Sequence, residues 1–329
     1  MAYANVITRG DVPAREETID VVMDGLENTS AARSLFRQIT VGKATQRFPV
    51  LSALPMAYWV NGDTGLKQTT EMAWKNKFLT MEELAVIVPV PQNVLDDSDF
   101  DIWAEARPKV RDAIDRALDS AVFFGAGAPA SFPTNVVAAS VAAGNVVTAG
   151  TATAAQGGFF GDLDGLLDAV EGDGFAVDGF VAARTVKSRF RRARNVQGDR
   201  VDRDRVDSTF STFDGAPVVY NMDGLWPVSA ADPDGAGTGV ATTGVLAIAA
   251  DFRRQFILGL RKDVTYEVFR EGVVQDQSGA IVYNLMQQDM VALRVTFRAG
   301  WQVANTVNYA NSGAEDQRYP AAVLQAAAA

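Results

Sequence analysis

Three groups of carboxylates are the residues best suited, by type and spacing, to do chemistry. They are Asp96, Asp97 and Asp99; Asp162, Asp164 and Asp168; and Asp199, Asp202, Asp204 and Asp207. Two carboxyl groups facing one bond can act as an acid and base pair. Their settings favour a plainer role. The first two groups sit at predicted helix starts, where carboxylates cap free N–H groups and suit the helix dipole. The third alternates with Arg200, Arg203 and Arg205, as a solvated, salt-bridged face does. Asp162-Leu163-Asp164-Gly165 has two letters of a calcium loop but lacks the next ligand and the distal glutamate. Gly125-Ala126-Gly127 lacks a third glycine at the offset of a dinucleotide loop, and it follows a helix rather than a strand.

What the chain lacks narrows the chemistry further. It has no histidine and no cysteine. The commonest general base, the commonest transition-metal ligand, disulfides and thiolate metal sites therefore go together. The expectation is a protein that is not an enzyme, with no cofactor and no metal. With 329 residues, 48% of them hydrophobic, it can build one large or two medium cores. The net charge of −10 gives no general attraction to nucleic acid or to an anionic membrane. No apolar run approaches the ~20 residues of a membrane helix. The opening MAYANVITRGDVPAREE has no apolar core of a signal peptide, so synthesis in the cytoplasm is expected. The sequon Asn28-Thr29-Ser30 is read as chance. One basic run stands out: Arg184, Lys187, Arg189, Arg191, Arg192 and Arg194. An exposed helix face explains it most simply; a contact between subunits or with nucleic acid is the sharper alternative. Phe190 is its only large apolar residue, which is little aromatic interleaving for a single-strand groove.

The elements that must position these groups follow from periodicity. Short helices are expected over Ala14 to Leu26 and Ser30 to Arg37, the latter capped by Ser30. Pro49 and Pro55 mark an extended, edge-like segment from Phe48 to Met56. Asn61-Gly62-Asp63 signals a turn, and Met72 to Leu79 alternates, so a long hairpin with an irregular tip is predicted. About 35 residues folded once would reach on the order of 50 Å. Such a hairpin cannot bury itself on its own domain and needs a partner surface. Leu84 to Val90 reads as a buried strand, ended on one side by Pro89 and Pro91. A helix from Phe100 to Phe124, kinked at Pro108, carries the stripe Val110, Ile114, Ala117, Leu118, Ala121 and Val122. Lys109, Arg111, Asp112, Asp115, Arg116 and Asp119 occupy its other face. Ser131 to Phe160 reads as a loop with short strands. A short helix over Asp162 to Val170, a strand over Ala176 to Ala182 and a basic helix over Arg184 to Arg194 follow. Further strands are expected at Pro217 to Tyr220, Val245 to Ala249, Gln255 to Leu260 and Val264 to Arg270, with a Pro/Gly/Asp-rich loop from Ser229 to Thr243. Leu293 to Val303 alternates strictly and is the clearest half-exposed strand. The alanine-rich tail beyond Tyr319 is expected to be loosely held.

FPVLSALPMAYWVNGD, then FLTMEELAVIVPVPQNVLDDS, then an amphipathic helix ending FFGAGAPASFP, resembles the tailed-phage major capsid family. Its HK-ninety-seven-type fold is shared with encapsulin shells. Later blocks agree in order: Phe180 to Arg184 leading into the basic helix, Asp214 to Asn221, Leu246 to Val268 with Asp251-Phe252-Arg253-Arg254, and Leu293 to Trp301. Together they cover about two-thirds of the chain.

The resemblance implies an α+β fold. An N-terminal arm would span 1–47, and an extended loop with flanking strands 48–84. A peripheral domain with a long spine helix would span 85–130, an axial domain 131–260, a return to the peripheral domain 261–312, and a C-terminal tail 313–329. It implies a shell subunit that self-assembles as hexamers and pentamers into an icosahedral capsid around double-stranded DNA. That protein would be assembled in the host cytoplasm and reside in the virion. Implied partners are other copies of the chain, a separate scaffolding protein, a portal and decoration proteins, with DNA held without specific binding and no membrane. Because the arm starts near Met1, without the long helical scaffolding segment of many relatives, the scaffold is expected to be separate or absent. Candidate contacts between subunits are Tyr58, Trp59, Lys67, Trp74, Lys75, Lys77, Arg189 and Arg192. Some relatives crosslink a loop lysine to a distant asparagine. Lys67, Lys75 and Lys77 stand at donor positions, but no acceptor matches, so no crosslink is expected. The alternative is an encapsulin compartment enclosing a cargo enzyme; a soluble carboxylate enzyme comes third.

Overall fold

The computed structural model describes residues 30–60, 66–97, 101–194, 211–221, 244–276 and 278–326. The helix expected over Ala14 to Leu26, the turn at Asn61 to Asp63, Asp99, the segment from Asp199 to Asp207 and the loop from Ser229 to Thr243 lie outside these.

Along the chain come α1 (Ala31–Leu35), β1 (Arg37–Thr40), β2 (Thr45–Ala53), β3 (Ala73–Thr80), β4 (Glu82–Pro91), α2 (Gln92–Asp97) and α3 (Ile102–Asp119), which continues through a π-helical turn, Ser120–Phe124. Next are α4 (Val136–Ala142), β5 (Val146–Thr148), α5 (Phe159–Gly172), β6 (Gly179–Ala183), α6 (Val186–Arg192), β7 (Thr212–Phe213), β8 (Ala216–Asn221) and β9 (Val245–Ala250). The last are α7 (Phe252–Gln255), β10 (Phe256–Phe269), β11 (Val273–Gln275), β12 (Ile281–Asn284), β13 (Met290–Val303) and β14 (Ala321–Gln325). The chain divides into two compact units. Of the described residues, the smaller holds 82–115 and 261–299; the larger holds 30–81, 116–260 and 300–326.

In the smaller unit β4 pairs antiparallel with β13, from Glu82 opposite Ala299 to Pro91 opposite Met290, and β13 lies between β4 and β10. β4 is thus a sheet edge, where proline's missing N–H costs no ladder bond. The absence of pairing among the described residues on the side away from β13 fits the two prolines, but one expectation is revised: the LAVIVPV run is not buried on both sides. Its exposure alternates, with Ile87 49% exposed and Val90 at 0%. Val90, Val94 and Ile102 form a small core with Val88, Leu95 and Trp103; Leu285, Met290 and Ala292 form another with Phe269, Val274 and Tyr283. Asp96 and Asp97 close α2 instead of opening the long helix. Asp101 does that work, its Oδ1 accepting from the N–H groups of Trp103 (2.9 Å) and Ala104 (3.2 Å).

The larger unit is built on a six-stranded mixed sheet in the order β5-β14-β9-β6-β8-β7. Every residue of β6 and β9 is buried, as the continuous apolar runs predict. Two aromatic groups fill it. Phe36, Phe123, Phe252 and Phe256 meet at ring separations of 5.0–6.5 Å, and Phe160, Phe180, Phe190 and Phe213 at 5.4–6.1 Å. The tail expected to be loose is an inner strand of this sheet: β14 pairs parallel with β5 and antiparallel with β9, and Ala321 to Leu324 are 0% exposed. Small side chains let α4 and α5 pack closely on it. The segment read as a loop from Ser131 contains α4, because Asn135 caps it (Oδ1 from Ala138 N–H, 2.8 Å) and Val136, Val137 and Ser140 give it a buried face.

The cap expected at Ser30 is present: its Oγ accepts from Arg33 N–H. Sequence periodicity missed what stands behind it. Asp119, placed on the exposed face of the long helix, is 1% exposed; it accepts from Ser30 Oγ (2.6 Å) and from the N–H groups of Ala31 and Ala32. Asp115 is also buried, while Ala117 of the predicted apolar stripe is exposed. The real stripe runs slightly round the helix from the predicted one. The strands expected separately at Gln255 to Leu260 and Val264 to Arg270 are one continuous strand, β10.

Candidate interaction surface

Most exposed large apolar side chains gather on one element. Of fifteen among the described residues, eight lie between Met56 and Phe78, on the arm closed by β2 and β3. The root of this arm is firmly set. Leu79, Met81 and Val41 form a core with Ile39, Phe48 and Ile257. Gly300 lies so close to the Thr80 carbonyl that a Cβ there would overlap it. The two strands pair from Thr45 opposite Thr80 to Ala53 opposite Ala73, with an irregularity at Ser52.

Directly opposed residues of an antiparallel pair share a face. The register therefore assigns Gln46, Phe48 and Val50 with Leu79, Lys77 and Lys75 to one face, and Arg47, Pro49 and Leu51 with Phe78, Asn76 and Trp74 to the other. The first face turns to its own chain. Leu79 is 0% exposed, Lys77 Nζ donates to the Val303 carbonyl (2.9 Å), and both ammonium groups reach Glu315, Lys75 at 2.7 Å and Lys77 at 2.5 Å. Burial lowers the Lys77 pKa, and the Glu315 hydrogen bond and charge only partly oppose it. Burial acts to raise the Glu315 carboxyl, but the hydrogen bonds and charges of Lys75 and Lys77 outweigh it and hold it below its ordinary value. The second face is open: Trp74 is 60% and Phe78 56% exposed.

Beyond the strands the two limbs are held by side chains. Met56 N–H donates to Thr70 Oγ1 (3.0 Å) and Tyr58 OH to the Gln68 carbonyl (2.7 Å). Tyr309 OH anchors the first limb at the Pro55 carbonyl (2.9 Å). Trp59 is wholly exposed, and Leu66 90% exposed. Burying one such side chain is worth roughly 1.5–3 kcal/mol. Eight such side chains left in water on one element make an exposed apolar surface of the kind that a partner can cover.

The candidates from sequence therefore separate. Tyr58, Trp59, Lys67 and Trp74 stand exposed on the arm. Lys75 and Lys77 hold the arm to Glu315 of their own chain. Arg189 lies over the Phe159 ring (5.9 Å), and Arg192 is exposed at the end of α6. Sequence reasoning missed Met56, Leu66, Met72 and Phe78, though Phe78 alternates in phase with Trp74 and was legible. It also missed Glu315, far along the chain, which nothing in the local pattern reveals.

Of the second group of carboxylates, Asp162 has a structural role among the described contacts. Asp162 is buried and accepts from the N–H groups of Gly150 (2.6 Å) and Ala152 (2.9 Å), while Asp164 and Asp168 face solvent. Among the described residues no group of three or more acidic, histidine or cysteine side chains is placed to hold a metal. Among the described residues, the carboxyl of Asp251 is raised to about 6, by burial first and then by the neighbouring Asp178 charge. Asp178 itself caps α7, accepting from Phe252 N–H (2.7 Å) and Arg253 N–H (2.9 Å).

Comparison with known proteins identifies the family. The phage capsid family model matches residues 10–307. A solved chain from Microbacterium phage Oxtober96 is 32% identical with a TM-score of 0.79, over 98% of this chain and 100% of that one. One from Mycobacterium phage Cain is 26% identical, also with a TM-score of 0.79, over 98% and 99%. A chain described as the capsid of an empty GTA particle shares the fold at 20% identity and a TM-score of 0.61, over 96% of each chain. No curated protein matches the sequence.

Proposed function

The chain belongs to the phage capsid family and is a major capsid protein, and from that premise we propose how it builds a shell. The open face of the β2–β3 arm, with Trp74, Phe78 and the exposed Trp59 and Leu66 beyond it, lies on a neighbouring copy. The observation that carries this is the asymmetry of the arm: one face is anchored at home by Leu79 and Glu315, while the other leaves large apolar groups exposed among the described residues. Copies join as hexamers and pentamers in a closed icosahedral shell around double-stranded DNA, so the protein's work is binding, not catalysis.

The finer organisation is part of the same proposal. Residues 48–84 serve as the extended loop. Residues 85–130 and 261–312 serve as the peripheral domain, and 131–260 as the axial domain. Shells form in the host cytoplasm with a separate scaffolding protein and a portal, and the acidic chain holds packaged DNA without specific contacts. The phage family match favours this reading over a cargo-enclosing compartment.

The test is electron microscopy of particles from cells making the chain with its neighbouring genes. Closed icosahedral particles that enclose DNA are expected. Particles filled with a protein cargo, or a chain that stays a monodisperse monomer there, overturn the reading.

A further inference from the structure

Helix α5 carries exposed negative charge toward its C-terminal end. Asp164, Asp168 and Glu171 share one exposed face at i, i+4, i+7 spacing, and its last turn contains no basic residue. Carboxylates at a helix C-terminus oppose the dipole. A local conflict of this kind calls for a compensating contact elsewhere. Among the described residues, Asp168 and Glu171 form no side-chain ion pair.

The compensating charge exists at the other end of the same body. Phe190 of α6 packs on Phe159 (5.5 Å) and Phe160 (5.7 Å), which fixes α6 at the N-terminal end of α5. Arg184 and Arg192 are exposed there and likewise form no ion pair among the described residues. Arg189 and Lys187 lie over the rings of Phe159 and Tyr220, extending the positive patch. At 1.5 Å per residue, Glu171 is about 16 Å along the axis from Phe160. That exceeds the screening length of about 8–10 Å, so the two ends do not neutralise each other. Each copy is thus positive at one end of α5 and negative at the other. Complementary patches at different places on one chain give head-to-tail association, which closes into a ring when the rotation allows.

Building on the shell reading above, we propose that the acidic face of α5 in one copy receives the arginines of α6 from the next copy, and that this contact closes the capsomer ring. A second copy fits better than nucleic acid. Nucleic acid would leave Asp168 and Glu171 uncompensated, and the chain carries net charge −10.

Charge reversal tests it, in cells that make the chain with its neighbouring genes. Asp168→Lys/Glu171→Lys and Arg184→Glu/Arg192→Glu should each cut particle yield at low salt by about tenfold or more, as like-charge juxtaposition does. The four-fold swap should return yield to within about twofold of wild type, each variant melting as wild type does. Unchanged yields for both reversals overturn the proposal, as does a folded swap that fares no better than either. So does an arginine reversal that empties particles of DNA while the acidic reversal is silent. A second measurement does not depend on the reversals folding. The chain has no cysteine, so Glu171→Cys/Arg192→Cys in assembled particles reports only its own pair. A short bifunctional thiol reagent should give a ladder ending in closed rings; monomers alone overturn the proposal. Wild type that forms no particles overturns the shell reading itself, whereas wild-type particles with indifferent variants overturn this contact only.

Discussion

The β2–β3 arm and the six-stranded sheet belong to the same unit and both carry large apolar side chains, yet they dispose of them in opposite ways. In the sheet, β6, β9 and most of β14 are buried, and phenylalanines from the end of α1 (Phe36), α7 and the π-helical turn fill the space beside them. On the arm, Trp59 is 100% and Trp74 60% exposed. Apolar content alone does not tell where burial happens. The register does: period two with one face docked leaves the other face for something outside the chain.

The largest effects should come from the sheet. Phe252→Ala, at a side chain with 0% exposure among three other rings, should destabilise the subunit by about 3–5 kcal/mol in chemical denaturation and lose assembly as a consequence. Removing residues from 321 onward should unfold the unit comparably, since β14 is an inner strand. A truncated chain that melts like wild type would break the comparison from the sheet side.

Trp74→Ala/Phe78→Ala should do the reverse. With both side chains more than half exposed, subunit stability should change by less than about 1 kcal/mol, while particle yield falls by about tenfold or more. Equal losses of stability and assembly would erase the distinction between the two regions.

Asp251 sharpens the sheet side. It is 2% exposed and its carboxyl is raised to about 6 by burial, with Asp178 adding to it. An acid raised above its unfolded value destabilises the fold where it is ionised. The penalty is therefore full above pH 6 and is relieved as pH falls from 6 toward 4, by at most about 3 kcal/mol. Asp251→Asn should flatten that part of the stability–pH curve. An unchanged curve contradicts the assignment. Glu315→Gln should have the smallest effect, below about 1 kcal/mol, because its pairs with Lys75 and Lys77 are part-exposed. With these lysines held at home, a denaturing gel of mature particles should show monomers and no covalent ladder.

Much of this was legible in the sequence, and the failures share a cause. Strict alternation located β13 and the hairpin strands, and the apolar run at Val245 located β9, because those patterns report local burial. Asp119 was misplaced because its role is to accept N–H groups from a segment 88 residues away. The alanine-rich β14 read as a tail because small residues carry weak local preference, and only the sheet around it gives it a place. The extended arm was legible from its prolines and its alternation; which of its two faces stays open required the register with Leu79 and the anchor at Glu315.

The most direct measurement is a density map of the assembled particle at side-chain resolution. The account predicts closed shells in which Trp74 and Phe78 are covered by a neighbouring copy. Closed shells that leave both side chains in solvent would contradict it.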